Sequence, residues 1–359
     1  MSKLSLAATA IGSLPYSDEK VATTMILENF EEIPFWPQLA KVSNLEDMII
    51  QYTQNIPGME INIDQQYFVF NPETDEFFEK LEEFYLDYDE ILNEKNFEKL
   101  EKYGITPPYT SSIELFCEKL KSKKTNFAKG HITGPFTWGT SICDKNNKCI
   151  FYDETYRDIL VKALTLKALW QIKKFKEAHP ETTPIIFIDE PTMSQFGTSA
   201  FITVHEDELV DSLKQITEVL QAEGALVGVH CCGKADWNMV LKSGINIMNF
   251  DAYSFSKNLT VYSKKIHEFL SNGGYIAWGI VPTLDTDALT AATKESLLKK
   301  LEDGINALAA KGIDKNLILK QSIITPSCGA GCLTPELAEK AMNLTTEISK
   351  EMKLKYEGI

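Results

Sequence analysis

Arginine is almost missing from this chain: of 36 basic residues only Arg157 is arginine, and the rest are lysine. Sites that clamp several carboxylates or phosphates with guanidinium forks are therefore not expected. Basic runs are missing as well, and the formal net charge is −15. A surface this acidic repels phosphate backbones, which argues against nucleic acid as a partner. No apolar stretch nears the ~20 residues that span a bilayer. No charged segment followed by a long apolar run and a cleavage site opens the sequence. These absences predict a cytoplasmic protein with no membrane partner. Cysteines are few and odd in number, seven in all, at 117, 143, 149, 231, 232, 328 and 332. A chain of this size needs no staples, so they are expected to serve chemistry or packing rather than disulfides. A Gly-x-Gly-x-x-Gly fingerprint after the first strand is also absent, which disfavours an open doubly wound sheet.

What is present is a globular composition, 44% hydrophobic and 24% charged over 359 residues. That excludes a disordered, collagen-like or coiled-coil chain. Short β-like runs recur at Leu6–Ile11, Met59–Ile63, Asn126–Ile132, Pro184–Ile188, Ala225–Cys231, Ile245–Phe250, Gly274–Ile280 and Leu317–Ile324. Amphipathic stretches separate most of them, such as Glu206–Ala222, opened by a Thr203-Val204-His205-Glu206 capping box. Strand–helix alternation repeated about eight times predicts a single (β/α)8 TIM barrel over residues 1–359. An α-rich insertion is expected between strands 2 and 3, at about 64–124, where acidic and aromatic residues crowd together. Cys143-Asp144-Lys145-Asn146-Asn147-Lys148-Cys149 reads as a hairpin tip on the surface.

A barrel gathers its chemistry at the C-terminal ends of its strands. Those ends carry Gly12-Ser13, Thr133-Gly134-Pro135-Phe136-Thr137-Trp138, Asp189-Glu190, His230-Cys231-Cys232-Gly233, Asp251, Trp278-Gly279 and Ser327-Cys328-Gly329. His230 and Cys232 stand two apart on one side of an extended segment. Cys328, three strands later, is a neighbour across the mouth of a closed barrel. One imidazole and two thiolates suit Zn²⁺; on spacing alone, small buried cysteines in a core fit equally well. Asp189-Glu190 reads as an acid pair or as a helix cap. His131 lies near the mouth as a donor or acceptor, whereas His179, His205 and His267 read as surface. Trp138, Tyr253 and Trp278 fit either pocket lining or rim packing.

Five of these motifs in order resemble the catalytic domain of cobalamin-independent methionine synthase. They are Ile11-Gly12-Ser13-Leu14-Pro15, Gly134-Pro135-Phe136-Thr137, Ile188-Asp189-Glu190-Pro191, His230-x-Cys232 and Thr325-Pro326-Ser327-Cys328-Gly329. The Val229-to-Gly233 stretch with Gly244 and Asp251 also resembles the uroporphyrinogen decarboxylase and methylcobamide:coenzyme M methyltransferase branch of the same superfamily. The resemblance implies zinc held by His230, Cys232 and Cys328, with Asp251 standing where the family has a glutamate ligand. It implies a homocysteine substrate held at Asp189 and Glu190 through its ammonium and at Gly12 and Ser13 through its carboxylate; Trp278, read as pocket lining, is expected to touch the substrate as well. A further family glutamate precedes an Asp-Met pair; here Asp47-Met48 matches the pair, Asn44 takes the glutamate's place, and Glu46 is close by. The folate-using members carry a His and an Arg after the seventh strand, where this chain has Ala277-Trp278-Gly279-Ile280-Val281. A methyl leaving from a folate amine needs a proton, and cob(I)alamin does not. The expected activity is therefore zinc-dependent methylation of a small thiol from methylcobalamin or a corrinoid protein, with His131 as the acid in reserve. Folate-dependent methionine synthesis, coenzyme M methylation, a decarboxylase-like lyase and a non-catalytic corrinoid-protein-binding module are the alternatives.

Overall fold

The segment Thr183-Pro184-Ile185-Ile186-Phe187-Ile188-Asp189 is apolar on both faces, the pattern of a parallel strand covered on two sides. The computed structural model, which describes residues 4–62 and 67–356, places it inside one parallel sheet, with a neighbouring strand on each side. The strands in chain order are β1 (Ala7–Ala8), β2 (Met59–Asn62), β3 (Tyr67–Phe70), β4 (Phe127–Thr133), β5 (Thr183–Asp189), β6 (Leu226–Cys231), β7 (Ile247–Phe250), β8 (Tyr275–Val281) and β9 (Ser322–Pro326). Seven of them pair in the order β1-β9-β8-β7-β6-β5-β4, every pair parallel. Period-two alternation splits the apolar residues between two cores. Ala7, Phe127, Ile185, Phe187, Ile247, Ala277 and Ile323 meet on the concave side. Ile186, Ile188, Val227, Val229 and Trp278 face the helices outside. Each Val, Ile or Phe among them contributes roughly 1.5–3 kcal/mol by leaving water.

Two expectations need correction. The run at Met59–Ile63 does form a strand over Met59–Asn62, but it pairs antiparallel with β3 as a separate ribbon; Ile63 lies outside the described residues. Its alternation of half-buried and exposed positions suits a ribbon, not a strand covered on both faces. The cysteines are not all free either, because Cys143 and Cys149 form a disulfide. They face each other in an antiparallel bridge at the expected hairpin tip, and directly opposed side chains are close enough to join. Smaller shifts have local causes. Asp314 caps a helix over Lys315–Lys320, so the last strand begins at Ser322 rather than Leu317. Glu208 folds back onto the His205 N–H at 2.9 Å, which starts the helix Glu206–Ala222 at His205 instead of Thr203.

No described strand fills the gap between β1 and β4. The extended segment 34–38 touches both sides of it. Lys129 N–H donates to Pro34 O (2.8 Å) and Trp36 N–H to Lys129 O (3.2 Å); Gln38 N–H donates to Gly12 O and Leu14 N–H to Gln38 O, both at 3.0 Å. Beyond Lys129 the segment diverges, and a side chain replaces it. Gln171, on the long helix Glu154–Ala178, accepts from His131 N–H (3.1 Å) and donates to His131 O (2.9 Å), as a neighbouring strand would. Its Oε1 also accepts from the Trp36 indole at 2.9 Å. Gly130 makes room for it, since a Cβ there would lie 2.2 Å from Gln171 Oε1. The helices Phe77–Asn93 and Ile113–Leu120, with a 3-10 turn at Phe97–Tyr103, occupy most of the acidic aromatic stretch. Among the described residues no helix is long and apolar enough to cross a membrane.

Candidate metal centre

His230 is the fifth residue of β6 and shares the concave side with Leu226. Cys231 turns the other way into the outer core, fully buried, with its sulfur 3.9 Å from Gly233 O. Cys232 returns to the inner side, and Cys328 comes in from the end of β9 across the mouth of the sheet. One ring nitrogen of His230 and the Sγ atoms of Cys232 and Cys328 all lie within 4.8 Å of one another. Residues far apart in sequence meet because parallel strands all end on the same rim.

The free nitrogen is Nε2. His230 Nδ1 lies 2.5 Å from Asn249 Oδ1 on the neighbouring strand β7. The Asn249 amide is itself held, donating from Nδ2 to Ala277 O (3.0 Å) and Thr325 Oγ1 (2.8 Å). An amide oriented this way presents an acceptor, so Nδ1 carries the proton and Nε2 keeps its lone pair. Nε2 is buried and has no hydrogen-bond partner. Asn249→Ala should therefore lower metal affinity roughly 10–100-fold, the usual cost of losing the group that orients a ligating histidine. Chelator competition measures this, and an unchanged affinity would mean that Asn249 does not orient the ring.

The sulfurs behave as a pair. A hydrogen bond with Cys328 holds the Cys232 thiol far down, at about 4, helped by the charge of His230 and opposed by burial. Cys328 is driven upward by the same hydrogen bond and by its own burial. Burial works against the charged form of His230, yet its contact with Cys232 and the carboxylate of Asp189 raise it overall. These shifts favour a thiolate beside a charged ring; with the ring neutral, Nε2 is unprotonated, and one thiolate, one thiol and one imidazole then form a soft N/S donor set. A zinc ion, with bonds of ~2.0–2.3 Å to such donors, fits a cluster this tight with little movement.

The remaining expected residues divide. Asp189 faces inward, next to His230 in the β5–β6 register, and its buried Oδ1 has no partner. His131 faces inward from β4, stacked on Trp36 with centroids 4.7 Å apart. Gly12 lies against that ring: a Cβ there would meet His131 Cε1 at 2.5 Å, and its φ of +149° is a glycine conformation. Ser13 belongs to a loop interlock, its carbonyl accepting from Ala330 N–H at 2.9 Å.

Three residues lie outside the trio. Asp251 stands outside the cluster, its Oδ1 capping the short helix Ala252–Phe255 through Ser254 N–H at 2.9 Å. Glu190 is fully buried with both oxygens engaged, by Phe136 N–H and Thr137 N–H at 2.8 Å and by Thr137 Oγ1 at 2.6 Å. It caps the helix Pro135–Ser141, and burial pushes its carboxyl up to about 7. Trp278 lies on the outer face, donating to Ser322 Oγ at 2.9 Å and packing on Phe250. Glu46 is buried as well and accepts from Leu39 N–H at 3.2 Å. Trp138 is buried and donates to Ile49 O at 2.8 Å, and the Lys300 ammonium sits 3.4 Å above the Tyr253 ring.

Sequence reading missed Asn249 and Lys129. Lys129 is fully buried on the inward face, with Nζ donating to Ile11 O at 2.6 Å and lying 4.4 Å from the Phe187 ring centre. Burial lowers its pKa, against the pull of Asp189. The signal was available: a charged or amide residue at an inward position of an otherwise apolar strand.

No protein-family model matches the chain, and no curated protein does. Among solved structures it is similar to a B12-independent methionine synthase from Shewanella sp. W3-18-1 in complex with selenomethionine. That likeness has 15% identity and a TM-score of 0.45, over 71% of this chain and 72% of the other. A second similar structure is an endo-beta-1,4-mannanase double mutant from Cellulomonas fimi, at 12% identity and a TM-score of 0.35, over 74% of this chain and 63% of the other.

Proposed function

We propose that this chain is a zinc-dependent S-methyltransferase that methylates a small thiol, homocysteine in the first instance, from methylcobalamin or a methylated corrinoid protein. On this reading the curled sheet is a (β/α)8-type barrel in which segment 34–38 stands in for the second strand. The observation that carries it is the trio of His230 Nε2, Cys232 Sγ and Cys328 Sγ within 4.8 Å at one rim. Bound there, zinc would supply the positive charge that keeps a substrate thiol deprotonated at neutral pH. Asn249 fixes the tautomer of His230, and Asp189 offers an inward acceptor beside it.

The donor follows from which side chains can move a proton. After β8 the chain offers Pro282 and Thr283, and Thr283 Oγ1 is already committed to Cys328 O at 2.9 Å. Trp278, in the middle of that strand, points outward, and Tyr275 stands at the strand's opposite, N-terminal end. A methyl group carried on a folate amine leaves only with a proton delivered in the transition state, an effect typically worth ~10²–10⁴-fold. A methylcorrinoid gives up its methyl cation equivalent to the thiolate while the electron pair of the broken Co–C bond stays on cobalt. No acid is needed for that.

The test is methionine formation from L-homocysteine by the zinc-loaded protein, with methylcobalamin and methyltetrahydrofolate compared as donors. Turnover with methylcobalamin should exceed turnover with the folate by ~10²-fold or more, the scale of the missing acid catalysis. His131→Ala is run alongside, because its imidazole is an inward group that could deliver a proton. Robust folate-dependent activity that disappears in this variant would overturn the donor assignment.

A further inference from the structure

The inward face of β4 carries Lys129, His131 and Thr133 at period two. His131 is 2% exposed, and neither ring nitrogen has a hydrogen-bond partner. The ring is also pinned. Trp36 lies parallel to it within 4°, and the Gly12 backbone comes so close that a Cβ would meet the imidazole at 2.5 Å. It cannot turn away to find a partner in the protein. On the adjacent strand Asp189 stands two residue pairs further along, opposite Thr133, and its Oδ1 is likewise buried and unpartnered.

A buried polar atom left unpaired costs ~1–3 kcal/mol. Three such atoms lie on the inward faces of two neighbouring strands, with Asp189 next to His230 in the sheet, and together they suit a polar ligand. An ionised Asp189 only accepts hydrogen bonds. Burial, and secondarily the Lys129 ammonium below, keep His131 neutral, so it offers one acceptor nitrogen and one N–H. The complementary group carries several N–H donors with an acceptor close by. A thiol whose far end bears only a carboxylate or a sulfonate has no donor for Asp189.

We propose that His131 is a second acceptor for the α-amino group that Asp189 receives, so that this pair selects an amino-acid thiol over a purely acidic one. The proposal rests on the reading of His230, Cys232 and Cys328 as the thiol-binding centre. Ammonium N–H groups reach Asp189 Oδ1 and the ring lone pair of His131, and the imidazole N–H is left to face the substrate carboxylate.

Calorimetric titration of the zinc-loaded protein with L-homocysteine and with its des-amino analogue, 4-sulfanylbutanoate, tests this. The parent protein should bind L-homocysteine at least about tenfold more tightly, the scale of one hydrogen bond to a charged group. His131→Ala should lose about tenfold in affinity for L-homocysteine and change little toward the analogue, with zinc content unaltered. His131→Gln, which restores an acceptor, should recover part of the preference and serves if the alanine variant does not fold. The ring-nitrogen NMR shifts of His131 in the parent should move with L-homocysteine and stay put with 4-sulfanylbutanoate. Equal weakening toward both thiols would show a merely structural role, and an undiminished preference in both variants would remove His131 from the site. If the parent binds neither thiol, the thiol-binding reading fails and this proposal goes with it.

Discussion

Cys232→Ser should lose zinc while Cys231→Ser keeps it, although the two residues are adjacent. The sheet explains the contrast. Consecutive side chains of an extended segment face opposite sides, and β6 sends Cys231 into the outer core with its sulfur fully buried. Cys232 lies within 4.8 Å of both His230 and Cys328. Serine keeps the volume but replaces a soft thiolate with a hard hydroxyl that does not ionise at neutral pH, so the donor set is broken. The loss of affinity should exceed the 10–100-fold that removal of a supporting residue costs. Metal content after dialysis against a weak chelator measures both variants. Cys231→Ser should retain zinc and instead lose some stability, because a hydroxyl costs more than a thiol to take out of water into the outer core. The opposite pattern would place the register of β6 off by one residue.

Gln171→Leu should cost roughly 2–6 kcal/mol of stability without touching the metal residues. Leucine preserves the bulk of the side chain and removes its polar end. The His131 N–H and the Trp36 indole N–H then lose their shared acceptor, and both lie in the closed interior. Each orphaned buried donor costs ~1–3 kcal/mol. His131 O still receives the Tyr52 hydroxyl at 3.2 Å, so the carbonyl is not counted among the losses. Against a total stability of about 5–15 kcal/mol this is a large fraction. Urea denaturation followed by tryptophan fluorescence reads the change. A loss below about 1 kcal/mol would mean that water replaces the amide and that Gln171 is not what finishes the free edge of β4.

Much of the sheet was legible in the residues because parallel strands advertise themselves. Runs such as Pro184–Ile188 and Ala225–Cys231 are apolar on both faces and bounded by helical period, and the structure has strands in those places. Met59–Ile63 misled because a short apolar–polar alternation marks extended backbone without saying which strand it will join. The segment that does bridge β1 and β4, Pro34-Phe35-Trp36-Pro37-Gln38, carries two prolines and pairs through isolated bridges, so it does not read as a strand. The disulfide was discounted from the size of the chain, while the hairpin that makes it is a local event.

Residue chemistry and period two were enough to nominate His230, Cys232 and Cys328, and to turn Cys231 away from them. They depend on the side-chain direction of one strand and on the rule that parallel strands end on one rim, both of which are local or topological facts. Side-chain partners are neither. Glu190 and Asp251 carry the same carboxylate as Asp189, but Glu190 spends both oxygens on a helix start and Asp251 one, whereas the inward Oδ1 of Asp189 is left free. Trp278 differs from a pocket-lining tryptophan only in the parity of its position on β8. Which polar atom is satisfied and which is left waiting depends on neighbours far along the chain, 19 residues away for Asn249 beside His230 and 76 for Thr325 beside Asn249. That distribution is settled only when the strands close on one another, because burial makes every unpaired donor or acceptor costly and so compels each to find a partner or a ligand.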